Sequence, residues 1–306
     1  MRVVFYEPGA QAEQWLESLR ALLPGATVEQ WVAGAPLADY AVVWAPPQQL
    51  IDQQTRLKAL FNIGAGVDRL LHLRLPSNTT VVRLDDAGMA VQMAEYVCHA
   101  LIRYFREFDT YGQQAPQGQW VQRAPRTRSG FPLGIMGLGV LGERVAQAVR
   151  QFGFPLLGWS RTQRQIDGMR CFAGQAQFAD FLAATKVLVC LLPLTANTQD
   201  ILCHDSLSHL PAGAYVINVA RGGLLVEEDL LALVDSGHLA GATLDVFRNE
   251  PLPPEHVFWR HPKIQVTPHI SAQTRRDESI AQIAGKILAL ERGEPIAGIV
   301  DLERGY

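Results

Sequence analysis

The sequence predicts an α/β protein with parallel sheets in two domains, and three observations carry that reading. The chain has 306 residues, which is long for one ordinary α/β core and comfortable for two. Short β-branched runs alternate with longer amphipathic stretches, the pattern of βαβ units. A polar segment rich in Gly, Gln, Pro and Arg, from Tyr111 to Gly130, interrupts the alternation and reads as a boundary.

The first series has candidate strands at Val3 to Tyr6, Thr27 to Trp31, Ala41 to Trp44, Ala59 to Ile63 and Thr80 to Arg83, with a helix at Gln11 to Leu22. A long helix then runs from Ala90 to Phe108, with Val91, Ala94, Val97, Cys98 and Leu101 on one face. The second series places strands at Leu133 to Met136, Pro155 to Trp159, Val187 to Leu192, Tyr215 to Val219, Ala242 to Asp245 and Ile264 to Val266. A final helix spans Ala272 to Arg292.

Composition narrows the function classes. Apolar residues make up 48% of the chain and charged residues 19%, as in a soluble globular enzyme. The net charge of -3 shows no basic excess, so a nucleic-acid partner is not expected. No apolar run reaches the roughly 18 residues of a membrane helix. The N-terminus, Met-Arg-Val-Val-Phe-Tyr, reads as a first strand and not as a signal peptide. Cys98, Cys171, Cys190 and Cys203 form no CxxC pair, so buried free thiols are expected, with no metal site. A cytoplasmic location is the default that follows.

The first chemical motif is Gly137-Leu138-Gly139-Val140-Leu141-Gly142, a GxGxxG that follows a strand candidate and opens an amphipathic helix. Gly137 permits the tight turn, Gly139 lets the backbone approach a pyrophosphate, and Gly142 lets the helix pack closely. The helix N-terminus then faces the phosphates. The next strand ends Ser160-Arg161-Thr162, where an NAD enzyme usually carries an acid for the ribose hydroxyl. A carboxylate would repel the extra phosphate of NADP, whereas Ser160 and Arg161 can donate to it. NADPH is therefore the preferred cofactor, with NADH as the alternative.

Four further segments stand in order: Leu192-Pro193-Leu194-Thr195-Ala196-Asn197-Thr198; Asn218-Val219-Ala220-Arg221-Gly222-Gly223; Leu244-Asp245-Val246-Phe247-Arg248-Asn249-Glu250-Pro251; and Thr267-Pro268-His269-Ile270-Ser271-Ala272. With the glycine loop, this series resembles the D-2-hydroxyacid dehydrogenase family, in its glyoxylate/hydroxypyruvate reductase branch, over essentially the whole chain. The resemblance implies two Rossmann-like domains, a flavodoxin-like substrate domain (1–97 plus 279–306) and a nucleotide-binding domain (98–278), with the active-site cleft between them. It also implies a homodimer formed through the nucleotide domains.

Reducing a 2-oxoacid requires that the carboxylate be held, the carbonyl polarised and a proton delivered, while the cofactor supplies hydride. Arg221 follows an apolar strand, where ligands bind in open α/β sheets, and its guanidinium suits a carboxylate. By resemblance it is the substrate-binding arginine. His269 also stands at a strand end, and an imidazole titrates near neutrality. Glu250 matches the acid that pairs with this histidine.

The resemblance assigns other positions too. Ala65 and Gly66, in Gly64-Ala65-Gly66, match the amides that receive the substrate carboxylate. Leu192, Pro193, Leu194 and Thr198 match the loop along the cofactor, with Val219 and Ala220 beside it, and Asp245 the acid near the nicotinamide carboxamide. Trp44 and Met89 are candidates for the substrate wall, with core packing as the alternative. Trp120 resembles an aromatic that relatives extend towards the neighbouring subunit's site, with a local plug as the alternative. Tyr96 departs from the family, many of whose members carry His there.

Glyoxylate and hydroxypyruvate are the expected substrates. The alternatives are a bulkier 2-oxoacid, or a non-catalytic nucleotide-sensing protein of the same fold.

Overall fold

The computed structural model describes residues 1–9, 12–76 and 79–305. The chain forms two compact units, Met1–Met89 with Thr274–Tyr306, and Ala90–Gln273. Divisions after Val97 and after Glu278, as expected from sequence, would cut the helices Met89–Phe105 and Arg276–Glu291. The compact units part beside the first turns of those two helices, and the first unit, like the expected substrate domain, joins the N-terminal sheet to the C-terminal helix.

In the first unit, strands β1 (Arg2–Tyr6), β2 (Thr27–Gln30), β3 (Tyr40–Val43), β4 (Ala59–Asn62) and β5 (Thr80–Val82) form a parallel sheet in the order β2-β1-β3-β4-β5. This is the flavodoxin-like order. Every residue of β3 and β4 is buried, as continuous apolar strands covered on both faces should be. Helices α1 (Ala12–Leu22), α2 (Gln48–Gln53) and α3 (Asp68–Leu71) follow the strands. Gln11, the expected start of α1, lies outside the described residues. The C-terminal helix Arg276–Glu291 packs against α1.

That helix is fastened at its far end by a three-residue cluster. The Tyr40 hydroxyl and Lys58 Nζ both donate to Glu291 Oε1, each at 2.8 Å. The two donors hold the Glu291 carboxyl below the usual carboxylate range, Lys58 contributing most. A depressed folded-state pKa stabilises above the ordinary carboxyl pKa and is lost as pH falls through the folded value. Glu291→Gln is expected to cost about 0.5–1 kcal/mol at neutral pH, the range for exposed charged pairs. The difference from wild type should begin to shrink as pH falls through the ordinary carboxyl range near 4 and vanish only below the depressed folded value. Urea denaturation over this pH range checks this.

The second unit opens with α4 (Met89–Phe105). The single helix expected to reach Phe108 breaks because Glu107 is left-handed, at φ 54°, and α5 (Phe108–Gln114) follows. The sheet comprises β6 (Leu133–Met136), β7 (Leu156–Ser160), β8 (Met169–Ala173), β9 (Val187–Cys190), β10 (Ala214–Asn218), β11 (Leu239–Leu244) and β12 (Ile264–Val266). Between them lie α6 (Val140–Arg150), α7 (Phe178–Ala183), α8 (His204–Ser208) and α9 (Glu227–Asp235). All neighbours are parallel, in the order β12-β11-β10-β9-β6-β7-β8.

Chain order reverses on either side of β6, so the switch point lies where β6 adjoins β9. In such sheets ligands bind beyond the carboxyl ends of the strands at that point. Strand β8 was not expected from sequence. It is a mostly solvated edge strand, Met-Arg-Cys-Phe-Ala, with only Phe172 buried and no β-branched residue. Apolar clusters pack both faces of this sheet, one including Leu188, Val216 and Leu244, the other Ile135, Val189 and Ile217.

The four cysteines are free, but only Cys190 is fully buried; the other three are half-exposed. Among the described residues, no helix is long and apolar enough to cross a membrane.

Candidate active site

The glycine loop leaves β6 at the switch point. Gly137 has φ +100°, and a Cβ there would lie 2.8 Å from the Leu191 carbonyl oxygen beyond β9. A Cβ on Gly142 would strike the Gly137 carbonyl, so α6 starts only because both positions are glycine. A Cβ on Gly139 would meet nothing, and α6 begins there without a side-chain cap. Open space in front of uncapped helix N–H groups fits a dinucleotide's pyrophosphate.

At the end of β7, the Ser160 hydroxyl donates to the Thr162 carbonyl at 2.8 Å, so its one proton serves the turn. Arg161 is exposed. Arg164 pairs with Glu143 in the first turn of α6.

Beyond β10 the chain turns at Arg221. Asn218, wholly buried, closes this turn: its amide nitrogen donates to the Arg221 carbonyl at 3.1 Å, and its amide oxygen accepts from Ala220 N–H at 3.2 Å. Val219 and Ala220 are buried, and Arg221 Nη1 donates to the Ala220 carbonyl at 2.7 Å. The first of the two glycines that follow is needed for close approach, and the second is tightly packed. A Cβ on Gly222 would collide with the Phe247 carbonyl, and one on Gly223 would lie 3.0 Å from the Leu194 side chain. The Arg221 turn is thus sandwiched between the segment leading to Glu250 and the loop from Leu192. That loop is tied by Thr198, whose hydroxyl donates to the Pro193 carbonyl at 2.6 Å.

Glu250 is held by one oxygen and pairs through the other. Oε1 accepts from Phe247 N–H at 3.0 Å, and Oε2 lies 2.7 Å from His269 Nδ1. Phe247, Glu250, Pro251, Leu252, Trp259, Pro268 and His269 line a pocket of about 370 Å³. The structure therefore brings Glu250 and His269 into contact and sets the Arg221 turn against the same backbone.

His269 is left-handed, at φ +55°, a conformation that disfavours a non-glycine residue by about 1 kcal/mol or more. Asp245, fully buried at the end of β11, holds it there. Its carboxylate accepts from Ile270 N–H at 2.8 Å, Ser271 N–H at 2.7 Å and the Thr267 hydroxyl at 2.5 Å. Its carbonyl accepts from His269 N–H at 2.9 Å. Sequence reasoning assigned Asp245 only to the nicotinamide.

In the first unit, Ala65 and Gly66 lie on the turn after β4. Buried Asn62 donates to the carbonyls of Gly64 at 3.0 Å and Gly66 at 2.8 Å. Trp44 packs on this turn, since a Cβ on Gly64 would be 2.7 Å from its ring. Met89 is buried. Asn62 and Asn218 were not singled out from sequence, although each is a polar residue closing an otherwise apolar strand. Trp120 is 95% exposed, so it plugs nothing among the described residues of its own chain.

The sequence model of the D-isomer specific 2-hydroxyacid dehydrogenase NAD binding domain matches residues 98–271. The chain belongs to the D-isomer specific 2-hydroxyacid dehydrogenase family. Among its relatives, glyoxylate/hydroxypyruvate reductase A of Serratia proteamaculans is 47% identical over 313 residues, with 100% of both chains covered. Two solved structures are similar over their full length. The D-isomer specific 2-hydroxyacid dehydrogenase of Xanthobacter autotrophicus Py2, in complex with NADPH and MES, has a TM-score of 0.93 at 37% identity, covering 100% of this chain and 99% of that one. The NADPH-dependent glyoxylate/hydroxypyruvate reductase of Sinorhizobium meliloti, in complex with NADP and sulfate, has a TM-score of 0.92 at 34% identity, with the same coverage.

Proposed function

We propose that this dehydrogenase-family member is an NADPH-dependent reductase of small 2-oxoacids, converting glyoxylate to glycolate and hydroxypyruvate to glycerate. The observation that carries the reading is the 2.7 Å pairing of His269 Nδ1 with Glu250 Oε2, on the edge that also bears the Arg221 turn. A carboxylate on Nδ1 orients the ring, leaving Nε2 to face the developing alkoxide and deliver a proton to it. Full-length relatives named for this reductase activity support the substrate class.

When bound, NADPH supplies the hydride. The chain's own residues do the rest. Arg221 holds the substrate carboxylate and stabilises charge on the carbonyl oxygen. By the family resemblance, the amides of Ala65 and Gly66 bind a substrate carboxylate, and Trp44 and Met89 belong to the substrate wall. The Gly137–Gly142 turn receives the pyrophosphate. Leu192, Pro193, Leu194, Thr198, Val219 and Ala220 border the nucleotide, and Asp245 stands near the carboxamide. Ser160, Arg161 and Thr162 lie at the ribose, where the missing acid favours the 2′-phosphate of NADPH. The protein acts as a homodimer in the cytoplasm, pairing through α4 and the loop of exposed Trp120.

Steady-state assays of NADPH and NADH against glyoxylate, hydroxypyruvate and phenylpyruvate test this reading. Glyoxylate and hydroxypyruvate with NADPH should be best. Arg161→Glu should raise the KM for NADPH by about tenfold or more while leaving that for NADH nearly unchanged. A preference for phenylpyruvate would move the substrate class to bulkier acids. No NADPH oxidation with any 2-oxoacid would return the chain to nucleotide sensing.

A further inference from the structure

One side chain outside the proposed chemistry reaches the His269 segment directly. Tyr96 lies on α4, and its hydroxyl is 2.5 Å from Thr267 Oγ1. Thr267 has one hydroxyl proton, which it donates to the Asp245 carboxylate. Tyr96 must then be the donor to Thr267, and burial, which pushes its pKa up to about 12, keeps that proton in place. The result is a directed chain, Tyr96 to Thr267 to Asp245, in which each hydrogen bond polarises the next.

The same helix grips the segment a second time. Gln92, four residues before Tyr96 and so on the same face of α4, donates to the Gln273 carbonyl at 3.0 Å and accepts from Gln273 N–H at 3.2 Å. The two attachments bracket His269. The residue between them is held in a left-handed backbone that an unconstrained chain would leave, and its ring must be aimed to within a fraction of an ångström to be effective.

We propose that Tyr96 is a positioning residue for the reductase, acting through Thr267 and Asp245 to hold His269 in its left-handed, Glu250-paired geometry. This rests on the catalytic reading of His269 given above. Tyr96 touches neither substrate nor cofactor in this role. Its hydroxyl supplies the outer donor that commits the Thr267 proton to Asp245.

The test is Tyr96→Phe, which removes the donor and keeps the ring. The expected result is about a tenfold lower kcat, with the KM and dissociation constant for NADPH unchanged. In a Thr267→Val background, Tyr96→Phe should cause no further loss, because its only route to His269 is gone. An independent readout uses protein labelled with 15N-histidine, with the His269 signal identified by its loss in His269→Gln. The Nδ1 resonance should be sharp in wild type and exchange-broadened in Tyr96→Phe. Equal kcat in an active wild type and in Tyr96→Phe, with unchanged His269 resonances, would overturn the proposal alone. An additive loss in the Thr267→Val background would overturn the route through Thr267. A wild type that turns over no 2-oxoacid would overturn the catalytic reading, and the resonance comparison would still decide whether Tyr96 braces the His269 turn.

Discussion

His269→Ala is expected to lower kcat for glyoxylate or hydroxypyruvate by about 10²–10⁴-fold, the usual contribution of a positioned general acid. NADPH should still bind. The glycine loop and α6 lie at the switch point of β6 and β9, and their geometry depends on Gly137 and Gly142 and not on the imidazole. The loss should appear in kcat and kcat/KM together, as for an interaction made in the transition state. Fluorescence titration with NADPH, beside steady-state kinetics, separates the two effects. A variant that turned over as fast as wild type would remove His269 from the chemistry and leave the Glu250 pairing as a surface salt bridge of small consequence.

Arg221→Lys is expected to lower kcat/KM by about 10²-fold or more despite conserving charge. The wild-type guanidinium donates from Nη1 to the Ala220 carbonyl, 2.7 Å away, and its planar fork matches the two oxygens of a carboxylate. An ammonium is a compact charge without that fork, so it must give up the carbonyl or the planar, two-point grip on the substrate. Most of the loss should fall on KM if Arg221 mainly holds the carboxylate, and on kcat if it mainly stabilises the growing oxyanion. NADPH affinity should not change in either case. Near-wild-type kinetics in the lysine variant would mean that a generic positive charge suffices at this turn.

Much of this architecture could be read in advance because its signals are local. The alternation of apolar runs marked both sheets, and the glycine spacing at 137, 139 and 142 marked the nucleotide turn within one stretch of chain. Arg221 and His269 stand after strand ends and Glu250 was assigned through the family resemblance alone; of these, the fold brings Glu250 and His269 into contact. The features that escaped depend on long-range packing. Edge strand β8 needs only one buried residue, Phe172, so it carries little periodicity. The break at Glu107 is a backbone conformation that its neighbours do not announce.

Asn62 and Asn218 brace their turns through hydrogen bonds to loop carbonyls, and an asparagine in sequence does not declare which carbonyl it will meet. The most distant case is the chain from Tyr96 to Thr267 to Asp245, whose members are separated by 171 and 22 residues along the sequence. Only folding brings them together, and the same folding reveals that Asp245 supports the His269 turn.

Single turnover of hydroxypyruvate at stoichiometric enzyme and NADPH tests the central claim most directly, with nicotinamide absorbance and the configuration of the glycerate followed together. The expected result is one equivalent of D-glycerate for each NADPH consumed by wild type, with neither change in His269→Ala over the same interval. NADPH that binds but is not oxidised, or glycerate of the L configuration, would contradict it.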